Sequence, residues 1–259
     1  VDVWKKSRHL AVDRALAAAS RRVVCVSEAV RAFYRDRARI PEEKLTVILN
    51  GIDLAPFDAP VDVPQTRADL RLNGHAPVLT VVARLLPEKG HRYFLEALAS
   101  LRRQYPAAVG LVVGDGAVRG ELEALAGRLG LTGEGVRFLG ERRDVPEILA
   151  ATDVFVLPSS VREGLSISLL EAMAARRATV VTDIGGNRET VEDGVSGRIV
   201  PPGDAEALAR AFAEILRDPA AGTRMGLAAR ARVERDFSVT RMVQATQDLY
   251  AATLMEASP

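Results

Sequence analysis

Two pairs of charged side chains in the 259-residue sequence have types and spacing that could do chemistry. Arg84 and Lys89 lie in Ala83-Arg84-Leu85-Leu86-Pro87-Glu88-Lys89-Gly90, directly after a β-branched run at 78–82. Arginine offers phosphate oxygens a planar fork and lysine a point charge, so a diphosphate would suit the pair. The plainer alternative is two solvated surface cations. Glu163 and Glu171 form the second pair, in Ser159-Ser160-Val161-Arg162-Glu163-Gly164-Leu165-Ser166-Ile167-Ser168-Leu169-Leu170-Glu171. Glu163 precedes an expected helix and Glu171 lies about two turns further on. Carboxylates so placed could grip hydroxyls at opposite ends of an elongated ligand. The helix start adds unpaired N–H groups and a partial positive charge, suited to phosphate. Gly164 permits close backbone approach, and Ser166 or Ser168 could help cap the helix. The alternative is a capping acid and an exposed helix acid.

Other residues invite weaker readings. Gly114-Asp115-Gly116 with Gly120 mimics a dinucleotide fingerprint, but the spacing is wrong and the cluster does not follow the first strand of its domain. Cys25 reads as a core cysteine. His91 could neighbour a phosphate or simply pack at a helix start.

The elements that must position these residues alternate. Short apolar runs at 23–26, 45–49, 78–82, 109–113, 136–139, 154–157, 179–182 and 197–200 predict strands buried on both faces. Helical patterns fill 3–19, 28–38, 92–104, 119–129, 145–150, 166–175, 205–217, 219–236 and 238–257. The expected fold class is α/β, a doubly wound parallel sheet. Asn50-Gly51-Ile52-Asp53 and the proline-bearing stretch 55–65 read as a boundary and linker. Only two expected strands precede it, too few for a complete layered domain, and six follow.

Composition excludes several classes. Thirty-five Lys and Arg against 34 Asp and Glu give a net charge of +1, unlike a general nucleic-acid binder. One cysteine excludes an internal disulfide and a Cys-cluster zinc site, and three scattered histidines offer no metal cluster. No apolar run approaches the roughly 18 residues of a membrane span, and no signal peptide opens the sequence, so a cytoplasmic location is expected. The first 50 residues carry 11 Lys and Arg against 6 Asp and Glu. That excess is either a solvated face or an attraction to an anionic membrane surface or acidic acceptor.

Read in order, these pieces resemble the retaining glycosyltransferases of family 4, which have the GT-B fold. The match is carried by Asn50-Gly51-Ile52-Asp53, Ala83-Arg84 through Lys89-Gly90, Val113-Gly114-Asp115-Gly116 and Val136-Arg137-Phe138-Leu139-Gly140. It continues with Asp153 through Pro158, Glu163 with Glu171, Asp183-Ile184-Gly185-Gly186-Asn187 and Gly194 through Asp204. The resemblance implies that Arg84 and Lys89 hold a donor diphosphate and that Glu163 binds the donor sugar, these three being the catalytic set. It implies that Glu171 binds the ribose and that backbone N–H groups of Gly164, Leu165, Ser166, Ile167 and Ser168 meet sugar and phosphate. The loop after Phe138 and Leu139 would frame the nucleobase, and Gly51 would lie in the crossover near the phosphates. The donor would be a UDP- or GDP-sugar, and the acceptor a saccharide or lipid-linked sugar of polysaccharide biosynthesis. No cofactor and no metal are expected. The location implied is cytoplasmic, with peripheral contact at the inner face of the membrane.

The resemblance divides the sequence into the tail of an N-terminal acceptor-side lobe (1–50), a nucleotide-sugar-binding Rossmann-like domain (51–236) and a C-terminal helix packing back on the N-terminal lobe (237–259). Most of the acceptor lobe, with the family's usual histidine, has no counterpart, and His9 does not fit that motif. A partner lobe or chain is therefore expected, and the sequence alone is expected to associate with itself and turn over little. Ala83 stands where the family often has glycine. Arg176-Arg177 stands at a helix end where glycine is frequent, a departure that costs roughly 1 kcal/mol in a left-handed cap. Two other readings compete: a nucleotide-sugar-binding module inactive without an acceptor lobe, and an oxidoreductase using the Gly114 cluster.

Overall fold

A computed structural model describes residues 7–161 and 163–255 of the chain. Its N-terminal layer is α1 (Ser7–Ala19), β1 (Val23–Cys25), α2 (Glu28–Arg37) and β2 (Leu45–Val47), with the two strands paired in parallel. Cys25, Val30, Ala38, Ile40 and Leu45 bury a small core of their own there. Cys25 is a core residue, and burial pushes its thiol pKa up. Two of the basic side chains of this layer are tied to its backbone. Lys44 donates to the carbonyls of Ala17, Ala18 and Ser20 at the end of α1, and Arg22 donates to that of Glu43.

The main layer follows: α3 (Val63–Asp69), β3 (Val78–Val82), α4 (His91–Leu101), β4 (Val109–Val113), α5 (Arg119–Arg128) and β5 (Val136–Gly140). It continues with α6 (Val145–Ala150), β6 (Val154–Leu157), α7 (Ile167–Ala174), β7 (Ala178–Thr182), α8 (Asn187–Thr190), β8 (Arg198–Val200), α9 (Ala205–Arg217) and α10 (Pro219–Asp236). The six strands form one parallel sheet in the order β5-β4-β3-β6-β7-β8. Alternation along the strands feeds one core on one face of the sheet and two on the other, the second of these holding Val78, Val109, Leu111 and Val113 with Leu70 and Ile148. Val154 and Val156 join α4, α5 and α9 on one face, with Phe94 and Phe212 edge to face at 6.5 Å. Phe155 and Leu157 meet α7 and α10 on the other. The central strands are buried on both faces, which is why they read as unbroken apolar runs.

All eight expected strands form, β1 and β2 ending one and two residues early. The linker reading of 55–65 needs correction. A 3-10 turn occupies Ala55–Phe57, and α3 starts at Val63 with Asp62 accepting from the Gln65 N–H at 2.9 Å. Pro64 sits in the first helical turn, where its missing N–H costs nothing. Residues 3–6 and 256–257 of two expected helices, and Arg162, lie outside the described residues. After α10 the chain returns: Ile52 donates to the Phe237 carbonyl, Val239 donates to that of Ile52, and α11 (Val239–Met255) runs on to accept from Arg21 at the Thr253 carbonyl. No described helix is long and apolar enough to cross a membrane.

Candidate functional site

The strand order reverses between β3 and β6. In an open parallel sheet a ligand crevice opens outside the carboxyl ends of the strands at such a switch. The loop after β3 carries Arg84 and Lys89; the loop after β6 carries Glu163 and leads into α7. Ser160 donates its N–H to the Glu88 carbonyl at 2.9 Å, so the two loops are joined.

Around Arg84 the backbone is pinned. Ala83 donates to the Val113 carbonyl and Leu85 to that of Asp115. The glycines that mimic a dinucleotide fingerprint serve this contact. Their φ values are +125° and +159°, and a Cβ on Gly114 or Gly116 would lie 2.1 or 2.4 Å from the carbonyl oxygens of Ala83 and Leu85. The Arg84 side chain is exposed and has no hydrogen bond or ion pair among the described residues.

Lys89 differs. Its Nζ lies 2.8 and 2.9 Å from the two carboxylate oxygens of Glu163, with the side chains 19% and 12% exposed. Ser159 Oγ donates to Oε2 of Glu163 at 2.8 Å. The carboxylate is thus oriented by two donors before any ligand arrives. Its backbone is fixed by Gly185, whose φ is +49° and whose added Cβ would fall 1.9 Å from the Glu163 carbonyl oxygen, and by the Gly186 N–H, which donates to that oxygen at 3.1 Å. Ser159 stood in the quoted motif without a role; its position four residues before Glu163 was the available signal.

Glu171, within α7, is half-buried and has no hydrogen-bond partner among the described residues. Desolvation pushes its carboxyl pKa up. The expectation that Ser166 or Ser168 caps α7 is not met. Their hydroxyls lie 3.1 Å apart, and Ser166 makes no capping bond. The hydroxyls therefore leave the first-turn N–H groups free to meet an anion. Leu165 is buried in the core under α7, and Ile167 is exposed. Phe138 and Leu139 pack their side chains on opposite faces of the sheet, so the end of β5 presents backbone and the following loop rather than these side chains. Gly51 lies at the crossover, its N–H 3.3 Å from Met242 Sδ at the start of α11. His91 is packing: it is 2% exposed, neither ring nitrogen has a partner among the described residues, and desolvation lowers its pKa to about 4. A cavity of about 420 Å³ lined by Pro77, Asp153, Arg177 and Ala178 opens at the amino ends of the strands. That is the end of the sheet opposite the crevice, and Arg177 there is tied to the carbonyls of Thr152 and Ala175.

The loops after β3 and β6 thus bring Arg84, Lys89 and Glu163 to the carboxyl ends of neighbouring strands, next to the uncapped start of α7, with Glu171 further along that helix, a chemistry suited to a phosphorylated, hydroxylated ligand. Known proteins agree with this class. The family model described as "Glycosyl transferases group 1" matches residues 62–232, and that described as "Glycosyltransferase Family 4" matches residues 2–56. The chain is 28% identical over 88% of its length to the UDP-Gal:alpha-D-GlcNAc-diphosphoundecaprenol alpha-1,3-galactosyltransferase of Escherichia coli, covering 59% of that protein. It is 31% identical over 92% of its length to the alpha-maltose-1-phosphate synthase of Mycobacterium tuberculosis, covering 65% of it. The chain thus spans roughly half to two-thirds of its curated relatives. Among solved structures, Anabaena HepE in complex with UDP and glucose superposes with a TM-score of 0.90 at 28% identity, over 95% of this chain and 67% of that one. With its parallel α/β sheet of GT-B type and a family match across most of its length, the chain belongs to the group 1 glycosyl transferases.

Proposed function

We propose that the chain is the donor-holding part of a retaining, family 4 hexosyltransferase that moves a sugar from a UDP- or GDP-sugar to a saccharide or lipid-linked acceptor. The observation that carries this is the Lys89–Glu163–Ser159 array at the switch point of the sheet, between the loop that bears Arg84 and the uncapped helix that bears Glu171. In this reading Arg84, Lys89 and the amides from Gly164 to Ser168 hold the diphosphate and stabilise the charge it gathers on leaving. The anomeric carbon–phosphate oxygen bond breaks, the acceptor oxygen bonds to that carbon on the same face, and the acceptor proton passes to the departing phosphate. Glu163 orients the sugar hydroxyls and Glu171, the one unpaired half-buried carboxylate of α7, holds the ribose. The end of β5 frames the base, and Gly51 shapes the crossover beside the phosphates. No metal is needed for this set; turnover unaffected by EDTA is the expected result.

Residues 1–50 are read as the tail of the acceptor-side lobe, 51–236 as the donor domain and 237–259 as a returning helix. Two features support the division. The N-terminal layer has its own small core, and α11 buries none of its residues, leaving Val243, Tyr250, Leu254 and Met255 exposed. Such a face suits a further lobe, and in this reading the transfer takes place in the cytoplasm at the inner face of the membrane. A radiolabel transfer assay with UDP- and GDP-sugars and saccharide or lipid-linked acceptors tests the proposal. Turnover, by this chain alone or with an acceptor lobe added, supports it; hydrolysis and transfer both absent under every combination would refute it.

A further inference from the structure

Helix α2 belongs to the N-terminal layer, yet its first turn is fastened to the donor layer. The Glu189 carboxylate of α8 accepts from the backbone N–H groups of Glu28 and Ala29, each at 2.7 Å. A carboxylate at a helix start meets both the free amides and the positive end of the helix dipole. Ser27, fully buried, caps the same turn by accepting from the Val30 N–H at 3.2 Å. The latch sets α2 opposite the loop that carries Glu163. Between them lies a cavity of about 300 Å³, lined by Ala32, Phe33, Asp36 and Arg37 on one wall and by Glu163 and Gly185 on the other. Positions 29, 32, 33 and 36 share one face of a helix, so this wall is a continuous stripe of α2.

The wall has the chemistry of a site for a hydroxylated ring. Arg37 has no hydrogen bond or ion pair among the described residues, which leaves its five N–H donors free. The Asp36 carboxylate is held by Arg35, through Nε at 2.8 Å and Nη2 at 3.3 Å, and keeps acceptor capacity. The carboxylate of Glu163 accepts three bonds, two from Lys89 and one from Ser159, out of about four lone-pair sites. Phe33 adds an apolar ring beside these polar groups, the usual mixture of a small-molecule pocket.

We propose that this cavity is a saccharide subsite and that Asp36 and Arg37 of α2 are specificity-determining residues for the sugar ring that Glu163 touches. The proposal rests on the donor reading of Glu163 given above. The ring is either the donor's own sugar or the acceptor's, and both present the same hydroxyls. Calorimetry separates these on the wild type, Asp36→Ala and Arg37→Ala with three probes: UDP or GDP; UDP-glucose or GDP-mannose; and glucose or mannose added to nucleotide-saturated protein. Both substituted residues are exposed, and thermal melts check that the variants stay folded. The expected result is an unchanged Kd for the free nucleotide and a roughly tenfold loss for one sugar probe, the size of a lost charge-assisted bond. Loss for the nucleotide-sugar assigns the ring to the donor; loss only for the free sugar assigns it to the acceptor. Unchanged Kd for every probe in both variants, or equal losses for nucleotide and nucleotide-sugar, overturns the subsite while leaving the donor reading standing. A wild type that binds no nucleotide and no nucleotide-sugar overturns the donor reading itself, and the subsite with it.

Discussion

Arg84 and Lys89 carry the same charge in different surroundings, and the difference is measurable. Arg84 is exposed and unpartnered among the described residues, whereas Lys89 neutralises a carboxylate that is mostly buried. Arg84→Ala should therefore leave thermal stability unchanged, while Lys89→Ala should cost about 1–3 kcal/mol by stranding Glu163. Equal melting temperatures for the two variants would contradict the pairing. The partner of Lys89 lies 74 residues away, so nothing in its own loop distinguishes it from Arg84. Glu171 behaves in the opposite sense. Its carboxyl pKa is raised by burial, so the folded state holds the proton longer than the unfolded state. Stability then falls as pH rises above the unfolded value and stays lower beyond the folded one. Glu171→Gln should raise the melting temperature at pH 7, have little effect well below the unfolded carboxyl pKa, and weaken nucleotide binding. A variant less stable than wild type at pH 7 would sink this account. His91 gives the cleanest acid signature. Its pKa is lowered from 6.5 to about 4 by desolvation first and Lys89 second. The unfolded chain takes up a proton in that window and the folded chain does not, so stability is complete above pH 6.5 and declines towards pH 4. His91→Leu should flatten that slope in urea titrations across the window; an unchanged slope would show that other groups produce it.

At the scale of elements, the β-branched runs were legible because a strand buried on both faces has no other composition available. The helix α3 was not, because Pro56, Pro60 and Pro64 were read as breakers together. Pro56 sits in a 3-10 turn and only Pro64 in an α-helix, and Asp62 two residues before it was the overlooked start signal. The four-residue α8 is too short to show a period, yet it carries Glu189. No local pattern announces that residue's role, since its partners are backbone amides 160 and 161 residues away. Arg84, Lys89, Glu163 and Glu171 were legible from charge and from strand-end position. What stayed hidden were relations between distant segments: the Lys89–Glu163 pair, the Ser159 bond and the face of α2. The latch itself can be tested. In Glu189→Ala, hydrogen exchange at the amides of Glu28 and Ala29 should accelerate well beyond that of β3 and β4, which lie in the main core. Uniform acceleration throughout the chain would mean that Glu189 supports the whole fold rather than the seating of α2.

For the whole molecule, the separate cores of the N-terminal layer and the main sheet and the returning α11 point to a division of labour. The six-stranded sheet is complete on both faces and holds the cations, the helix start and the carboxylates. The N-terminal layer has two strands, and it is fastened at Glu189 and at the crossover near Gly51. The central claim is that the switch crevice of the main sheet binds a nucleoside diphosphate through Arg84. Isothermal titration of UDP and GDP into the wild type and Arg84→Ala tests it most directly. The account predicts saturable one-to-one binding of at least one of them, weakened roughly tenfold or more in the variant, the scale of a lost charge-assisted contact. The contradictory result is nucleotide binding of equal affinity in both proteins, or none in a folded wild type.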